Sequence, residues 1–391
     1  MYVRKSRQLG GILLVSGTTI GAGMLALPVT SGILGFFPSC MLFIFYWILS
    51  IITALFLLEV NLHYKEPVNL ITMAKHTLGK KGEMLSWILY LFLLYSLTGA
   101  YLTASGPLVA DFFNIDQSNA WPTVIFLLVF GMLIFLGTKY VDRVNRLLMV
   151  GLFIFYMLLV FSVFSFVNEK KLFTQNFSYV WLSIPIIVTS FGFHIVIPSL
   201  TNYLHKDAVV LKRVIFLGSF FPLAVYLLWE YVCVGSIDLN GPFGLYKTHE
   251  LGYPATFALN FIVKNPLIKT FSSAFSFFAI ATSFLGVGLS LSHFLADGFR
   301  IHPTLKGRLL TLIITFLPPL LFALFYPRGF MIALEYAGIF VAILLGILPV
   351  LMAWRARKTF KTPFIYKVRG GIPLMLFVIG AYLIVIISVL I

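Results

Sequence analysis

Apolar runs long enough to cross a lipid bilayer follow one another along nearly the whole chain, and Lys and Arg fall almost entirely between them. A hydrocarbon core of ~30 Å takes about 20 apolar residues of helix. Only helices or closed barrels satisfy the backbone there. The runs are apolar all round rather than alternating with period two, so they read as helices. The chain is 60% hydrophobic and 10% charged, where soluble domains carry roughly 25% charge. That excludes a soluble globular protein and a disordered one, and the 391 residues read as one membrane domain.

Eleven helices are expected, near 9–31, 36–61, 84–113, 121–136, 146–167, 179–204, 214–234, 267–296, 309–325, 330–353 and 373–391. The first run is too long for the apolar core of a cleaved leader. With the N-terminus placed inside, 22 of the 28 Lys and Arg fall on inner segments; Lys170, Lys171, Lys247, Lys264, Lys269 and Arg328 fall outside. This bias sets the N-terminus in the cytoplasm and the C-terminus outside. The net charge of +15 is spread over six inner loops rather than one face, which argues against a nucleic-acid partner. Segment 69–78 reads as a short interfacial helix, and 355–369, the most basic stretch, as a topology anchor near anionic headgroups. Glu59, His293 and Asp297 lie near inner ends and read as snorkelling to water.

Two spans are interrupted. The first contains Gly17-Thr-Thr-Ile-Gly21-Ala-Gly23-Met-Leu-Ala-Leu-Pro28, and the sixth Thr189-Ser-Phe-Gly192-Phe-His194-Ile-Val-Ile-Pro198. Glycine and proline weaken a helix. Four spans lie between the two, so they run in opposite directions. Interrupted helices at matching places in two inverted halves point to a transporter's central site.

Other motifs lead nowhere. Gly21-Ala-Gly23-Met-Leu-Ala26 fits a dinucleotide fingerprint, but that motif needs an acid about 20 residues on, and the first acid, Glu59, comes 33 residues after Ala26. The chain has no HExxH, GxSxG or CxxC, and no filter loop, so an enzyme and a channel are remote alternatives. Cys40 and Cys233 alone cannot build a metal centre; a disulfide between them is open on count. No cofactor and no metal site is expected.

The two interrupted stretches, together with Ala279–Gly286 (AIATSFLG), resemble the signature stretches of the bacterial aromatic amino acid permeases and their hydroxy amino acid relatives. The resemblance runs over nearly the whole chain. It implies a LeuT-like fold of the amino acid/polyamine/organocation superfamily: an all-α membrane protein with a five-plus-five inverted repeat, 9–167 and 179–353, and an added helix at 373–391. It implies uptake of an aromatic amino acid, tyrosine first, by proton symport across the inner membrane. Sodium coupling, or a serine or threonine substrate, is the alternative.

On that reading the N–H groups of Gly21, Ala22 and Gly23 bind the substrate carboxylate at the positive end of a half-helix. Carbonyls there and near Ser190–Gly192 bind the ammonium, with Thr18 and Thr19 adding hydroxyls. Phe191 and Phe193 are candidates to stack on the ring, and Tyr95 and Thr98 to line the pocket from the third span. Thr282 and Ser283 fall where sodium-coupled relatives of this architecture hold a cation. An ionisable group inside a span is a functional candidate by default. For the coupling proton these are His194, in the break, then Glu230 and Glu335. His194 also reads as a hydrogen-bond donor to a tyrosine hydroxyl or as a structural residue.

Overall fold

The computed structural model describes residues 2–116, 119–262, 266–360 and 362–390. Lys264 and Lys361, used above for orientation, lie outside the described residues. The helices are α1 (Tyr2–Thr19), α2 (Gly23–Leu34), α3 (Phe36–Asn61), α4 (Leu70–Phe113), α5 (Trp121–Leu136), α6 (Thr138–Phe164), α7 (Glu169–Leu172), α8 (Val180–Ser190), α9 (Ile197–Tyr203), α10 (Ala208–Ser236), α11 (Leu245–Glu250), α12 (Ala255–Ile262), α13 (Pro266–Gly298), α14 (Leu305–Phe325), α15 (Phe330–Val341), α16 (Leu348–Thr359) and α17 (Gly371–Leu390).

Among the described residues nine helical stretches are long and apolar enough to cross a membrane, and α1 with α2 make a tenth, bent by 60°. The expected eleventh crossing is α5, which falls short of that length. Its 16 residues span about 24 Å at ~1.5 Å per residue, less than a ~30 Å core.

Burial sorts the bundle. The broken stretch Phe177–Tyr203 is 61% buried and Phe330–Thr359 67%, against 28% for Leu305–Phe325 and 33% for Gly371–Leu390. The interrupted helices are therefore central, and α14 and α17 face lipid. The sequence explains the joints. Gly35 ends α2 at φ 111° and lets α3 start at once. Asn69 caps α4 by accepting from the Thr72 N–H at 2.8 Å. Gly79, at φ 75°, kinks α4 where the expected interfacial segment 69–78 gives way to the crossing. Cys40 and Cys233 are free thiols.

The basic segment is only partly an exposed anchor, because one of its arginines turns inward. Arg357 donates to Glu59 from Nε at 2.6 Å and from Nη2 at 2.7 Å. The Val368 N–H donates to the same carboxylate at 2.7 Å, and Arg357 Nη2 to the Val368 carbonyl at 2.9 Å. The Glu59 side chain is fully buried, so it does not snorkel as expected. It pins the C-terminal ends of α3 and α16 and the stretch of chain leading to α17. Beside it His63 stacks on Phe360 with ring centroids 4.1 Å apart.

Two predictions follow from this clasp. Glu59→Gln leaves Arg357 without its counter-charge and should cost about 3–5 kcal/mol of stability, read as a lower melting temperature in detergent; Glu59→Gln with Arg357→Met should recover part of it. Burial lowers the pKa of His63 below the ordinary histidine value. A lowered folded pKa means its contribution is full above the unfolded value and is lost as pH falls through that range. Melting should drop between about pH 7 and about pH 5, and His63→Phe should flatten that drop.

Candidate functional site

The sequence of the first break leaves little choice about its shape. A Cβ on Gly21 would lie 2.7 Å from the Ser283 Oγ, and one on Gly23 3.3 Å from the Ser190 Oγ. Glycine is needed because α13 and α8 approach the bare backbone. In the sixth span the helix ends at Ser190, passes Phe191 and Gly192, and resumes through a 3-10 turn at Phe193–Val196 before Pro198 restarts it. The two breaks face each other. α2 packs on α8, while α1 meets the 3-10 turn and α9. That pairing is antiparallel, as the inverted order requires. The Ser183 hydroxyl, donating to the Thr30 carbonyl at 3.1 Å, ties the outer halves together.

Helix breaks free backbone groups, and in a buried place these need partners. Met24 and Leu25 bond back to the carbonyls of Gly21 and Ala22 at 3.1 Å each. The Ala22 N–H donates to the Ser283 Oγ at 2.8 Å. The amides of Gly21 and Gly23 have no such partner among the described residues. On the carbonyl side, the Tyr226 hydroxyl donates to Thr19 O at 2.6 Å and also reaches Ser190 O at 3.2 Å. One phenol therefore bridges the two breaks. One turn further along α10, Trp229 Nε1 donates to Met24 O at 3.0 Å.

Not every expected residue joins this group. Ser283 does, but as the partner of an amide rather than in a cation site. Thr282 gives its proton to carbonyls of its own helix, Phe278 at 2.8 Å or Ala279 at 3.1 Å. Thr18 and Thr19 likewise bond back to Leu14 and Val15, at 2.7 Å each, so Thr19 contributes its carbonyl and not its hydroxyl. Ser190 does the same: its hydroxyl goes to Ile186 O at 2.9 Å and its carbonyl faces Tyr226. Phe191 packs edge-on to Tyr226, with ring centroids 5.5 Å apart. Phe193 instead stacks on His194 at 5.1 Å, on the side of α3, where the His194 Nε2 lies 2.8 Å from the Thr53 hydroxyl. Among the described residues the His194 Nδ1 has no hydrogen-bond partner.

Tyr95 needs correcting. Its hydroxyl donates to Ile314 O on α14 at 2.6 Å, away from the breaks. Thr98 is buried with its hydroxyl on Leu94 O at 2.7 Å. The tyrosine of α4 that meets the site is Tyr101, whose side chain stands beside Ser283. Helical geometry accounts for the miss: six residues at ~100° each place Tyr95 about 120° around from Tyr101, while Thr98, Tyr101 and Ser105 share one face. Glu335 lies near the start of α15, 3.8 Å from His249 on α11, and does not reach the breaks.

Glu230 is fully buried. Its Oε1 lies 2.7 Å from the Ser31 Oγ; the Ser39 hydroxyl also stands beside the carboxyl, and among the described residues the Oε2 has no partner in hydrogen-bond geometry. Among the described residues no Lys or Arg pairs with it. Ser31 also donates to Leu27 O at 2.6 Å. The residues that reading the sequence missed are Tyr226, Trp229 and Tyr101. Tyr226 had a signal: Ser219, Tyr226 and Glu230 recur on one face of α10 at spacings of seven and four.

Residues 4–389 match the tryptophan/tyrosine permease family. The chain is 34% identical to the tryptophan-specific transport protein of Haemophilus influenzae, over 93% of this chain and 90% of that one. It is 34% identical to the tyrosine-specific transport system 2 of the same organism, over 94% and 92%. Its fold is similar to that of a manganese transporter of Eremococcus coleocola, with a TM-score of 0.59, 13% identity, and coverage of 98% of this chain and 85% of that one. With broken central helices in a lipid-spanning bundle and a match along nearly its whole length, the chain belongs to the tryptophan/tyrosine permease family, a family of transporters and not of enzymes.

Proposed function

We propose that the chain imports an aromatic amino acid, tyrosine first, across the bacterial inner membrane by proton symport. The architecture proposed for it is the LeuT-like one: eleven spans with α5 as the fourth, an inverted repeat over 9–167 and 179–353, 373–391 added, N-terminus in the cytoplasm and C-terminus outside. The substrate class rests on the relatives, which are named for tryptophan and for tyrosine. The observation that carries the mechanism is that two side-chain hydroxyls already serve the groups a zwitterion would use. Ser283 takes the Ala22 amide and Tyr226 the carbonyls of Thr19 and Ser190.

A zwitterion loses its hydration on entering the bundle and needs fixed dipoles in return. Its carboxylate displaces the Ser283 hydroxyl and adds the amides of Gly21 and Gly23. Its ammonium takes over Thr19 O and Ser190 O from Tyr226. Phe191, already against Tyr226, is placed to meet the aromatic ring. Exchange of one set of hydrogen bonds for another keeps the breaks satisfied in both states, so binding does not require a stable structure to be undone.

Glu230 is the coupling group best supported, ahead of His194. Ser31 has one hydroxyl proton and two oxygens at 2.6 and 2.7 Å. A proton on Glu230 Oε1, donated to the Ser31 Oγ, resolves that conflict. Ionised, Glu230 would have only the Ser31 and Ser39 hydroxyls and, among the described residues, no Lys or Arg beside it, which is costly at this depth. Glu230 lies one turn from Tyr226 on α10 and touches α2, so gaining or losing its proton shifts the same contacts that bridge the breaks.

The test is labelled tyrosine uptake into proteoliposomes under an imposed proton gradient or sodium gradient, with unlabelled Trp, Phe, Ser and Thr as competitors. Proton-driven accumulation blocked by aromatic amino acids is expected, and Glu230→Gln should abolish accumulation while leaving tyrosine exchange. Accumulation under sodium alone, or competition by serine and threonine only, contradicts the proposal. A second prediction isolates the hydroxyl exchange. Tyr226→Phe takes the donor from the Thr19 carbonyl and the longer contact from Ser190 O, and should cost about 1–3 kcal/mol without substrate. Tyrosine should then raise the melting temperature of this variant more than that of the parent protein. Equal shifts would mean that Tyr226 is a strut and not a partner exchanged for substrate.

A further inference from the structure

A cavity of about 200 Å³ opens above the breaks, between the C-terminal end of α4, α12 and the start of α13. Its chemistry comes in two parts. One wall holds a charged pair, Lys269 Nζ 3.4 Å from Asp111 Oδ1, both side chains about half exposed. The other wall is aromatic. Tyr253 and Phe257 stack with centroids 4.2 Å apart, Phe257 and Phe261 lie 4.9 Å apart, and Phe243 stacks behind Phe261 at 4.2 Å. Asn260 reaches the Ser272 hydroxyl between the two walls. A cation, an anion and an apolar slab around one small cavity match the three parts of a free aromatic amino acid.

The cavity is separate from the breaks but lies on the same two helices. Asp111 is ten residues beyond Tyr101 on α4, about 15 Å at the helical rise of ~1.5 Å. Thr103 and Ser276 line its floor, and Ser276 is seven residues, about 10 Å, before Ser283 on α13. Its lining comes from the C-terminal end of α4, from α12 and from the start of α13, the ends that the charge bias assigns to the outside.

We propose that this cavity is a second, outer binding site for the free aromatic amino acid, filled before transfer to the breaks. The ammonium pairs with Asp111, the carboxylate with Lys269, and the ring lies against Phe257, flanked by Tyr253 and Phe261. The proposal rests on the substrate class inferred above. A ligand that brings its own opposite charges replaces the long Lys269–Asp111 contact without leaving either side chain unpaired. A peptide or an uncharged aromatic compound lacks one or both charges and fills the site less well.

The experiment is equilibrium binding of labelled tyrosine and labelled tryptophan to the detergent-purified full chain, with the variants Phe257→Ala and Asp111→Asn. The parent protein should bind two molecules per chain, and each variant one, with an unchanged melting temperature. In proteoliposomes the variants should raise the KM for uptake by roughly fivefold, as loss of an aromatic contact allows, with maximal rate retained. One molecule per chain in parent and variants alike, with uptake unaltered, overturns the outer site and leaves the central reading intact. No binding of either amino acid to the parent protein overturns the substrate reading and the outer site together.

Discussion

In hydrocarbon, a backbone N–H or C=O outside a helix has no water to turn to and must find its partner in the protein. Both breaks in this bundle are organised by that constraint. Gly21 and Gly23 bring the bare chain against α13 and α8, and Ser283 and Tyr226 supply the hydrogen bonds that the interrupted helices lack. The unpaired remainder, the amides of Gly21 and Gly23, is where a carboxylate gains most. A transport site built this way is a set of backbone groups served by exchangeable hydroxyls, and its affinity is the difference between two sets of satisfied bonds.

α10 links substrate to proton on this account. Tyr226, Trp229 and Glu230 reach, in order, the end of α1, the start of α2 and Ser31 further along α2. One helix therefore holds the first span on both sides of its bend. Loss of the Glu230 proton would turn the Ser31 hydroxyl from the Leu27 carbonyl to the carboxylate, while substrate would free Tyr226 from Thr19 and Ser190, and both changes act on the same helix pair. The clasp of Glu59, Arg357 and Val368 is different in kind, because its charges are paired and the Glu59 carboxylate accepts from both Arg357 and the Val368 amide.

Much of the fold was legible because lipid leaves few alternatives. Unbroken apolar length gave the spans, and Gly and Pro marked both breaks to within a few residues. What escaped has specific causes. The crossing assigned to 121–136 is short, and length alone does not say whether a helix spans or tilts. Tyr95 was read onto the site because it is polar and near the middle of its span, but it is a third of a turn away from Tyr101. Glu59 looked like a snorkelling end residue; its partner, Arg357, lies 298 positions away, and periodicity carries no such information. The hydroxyls of Thr18, Thr19, Thr98 and Thr282 all bond to their own helix turns, the ordinary use of threonine in a span. Only tertiary contacts distinguish them from Ser283, which reaches across to another helix.

Site-resolved hydrogen exchange of the full chain, with and without tyrosine, bears most directly on whether substrate takes the backbone groups of the first break. The amides of Gly21 and Gly23 should exchange markedly more slowly with tyrosine bound, while the amides of α14 and α17 stay unchanged. Protection that is unaltered at both glycines under saturating tyrosine would contradict a site built from the broken helix.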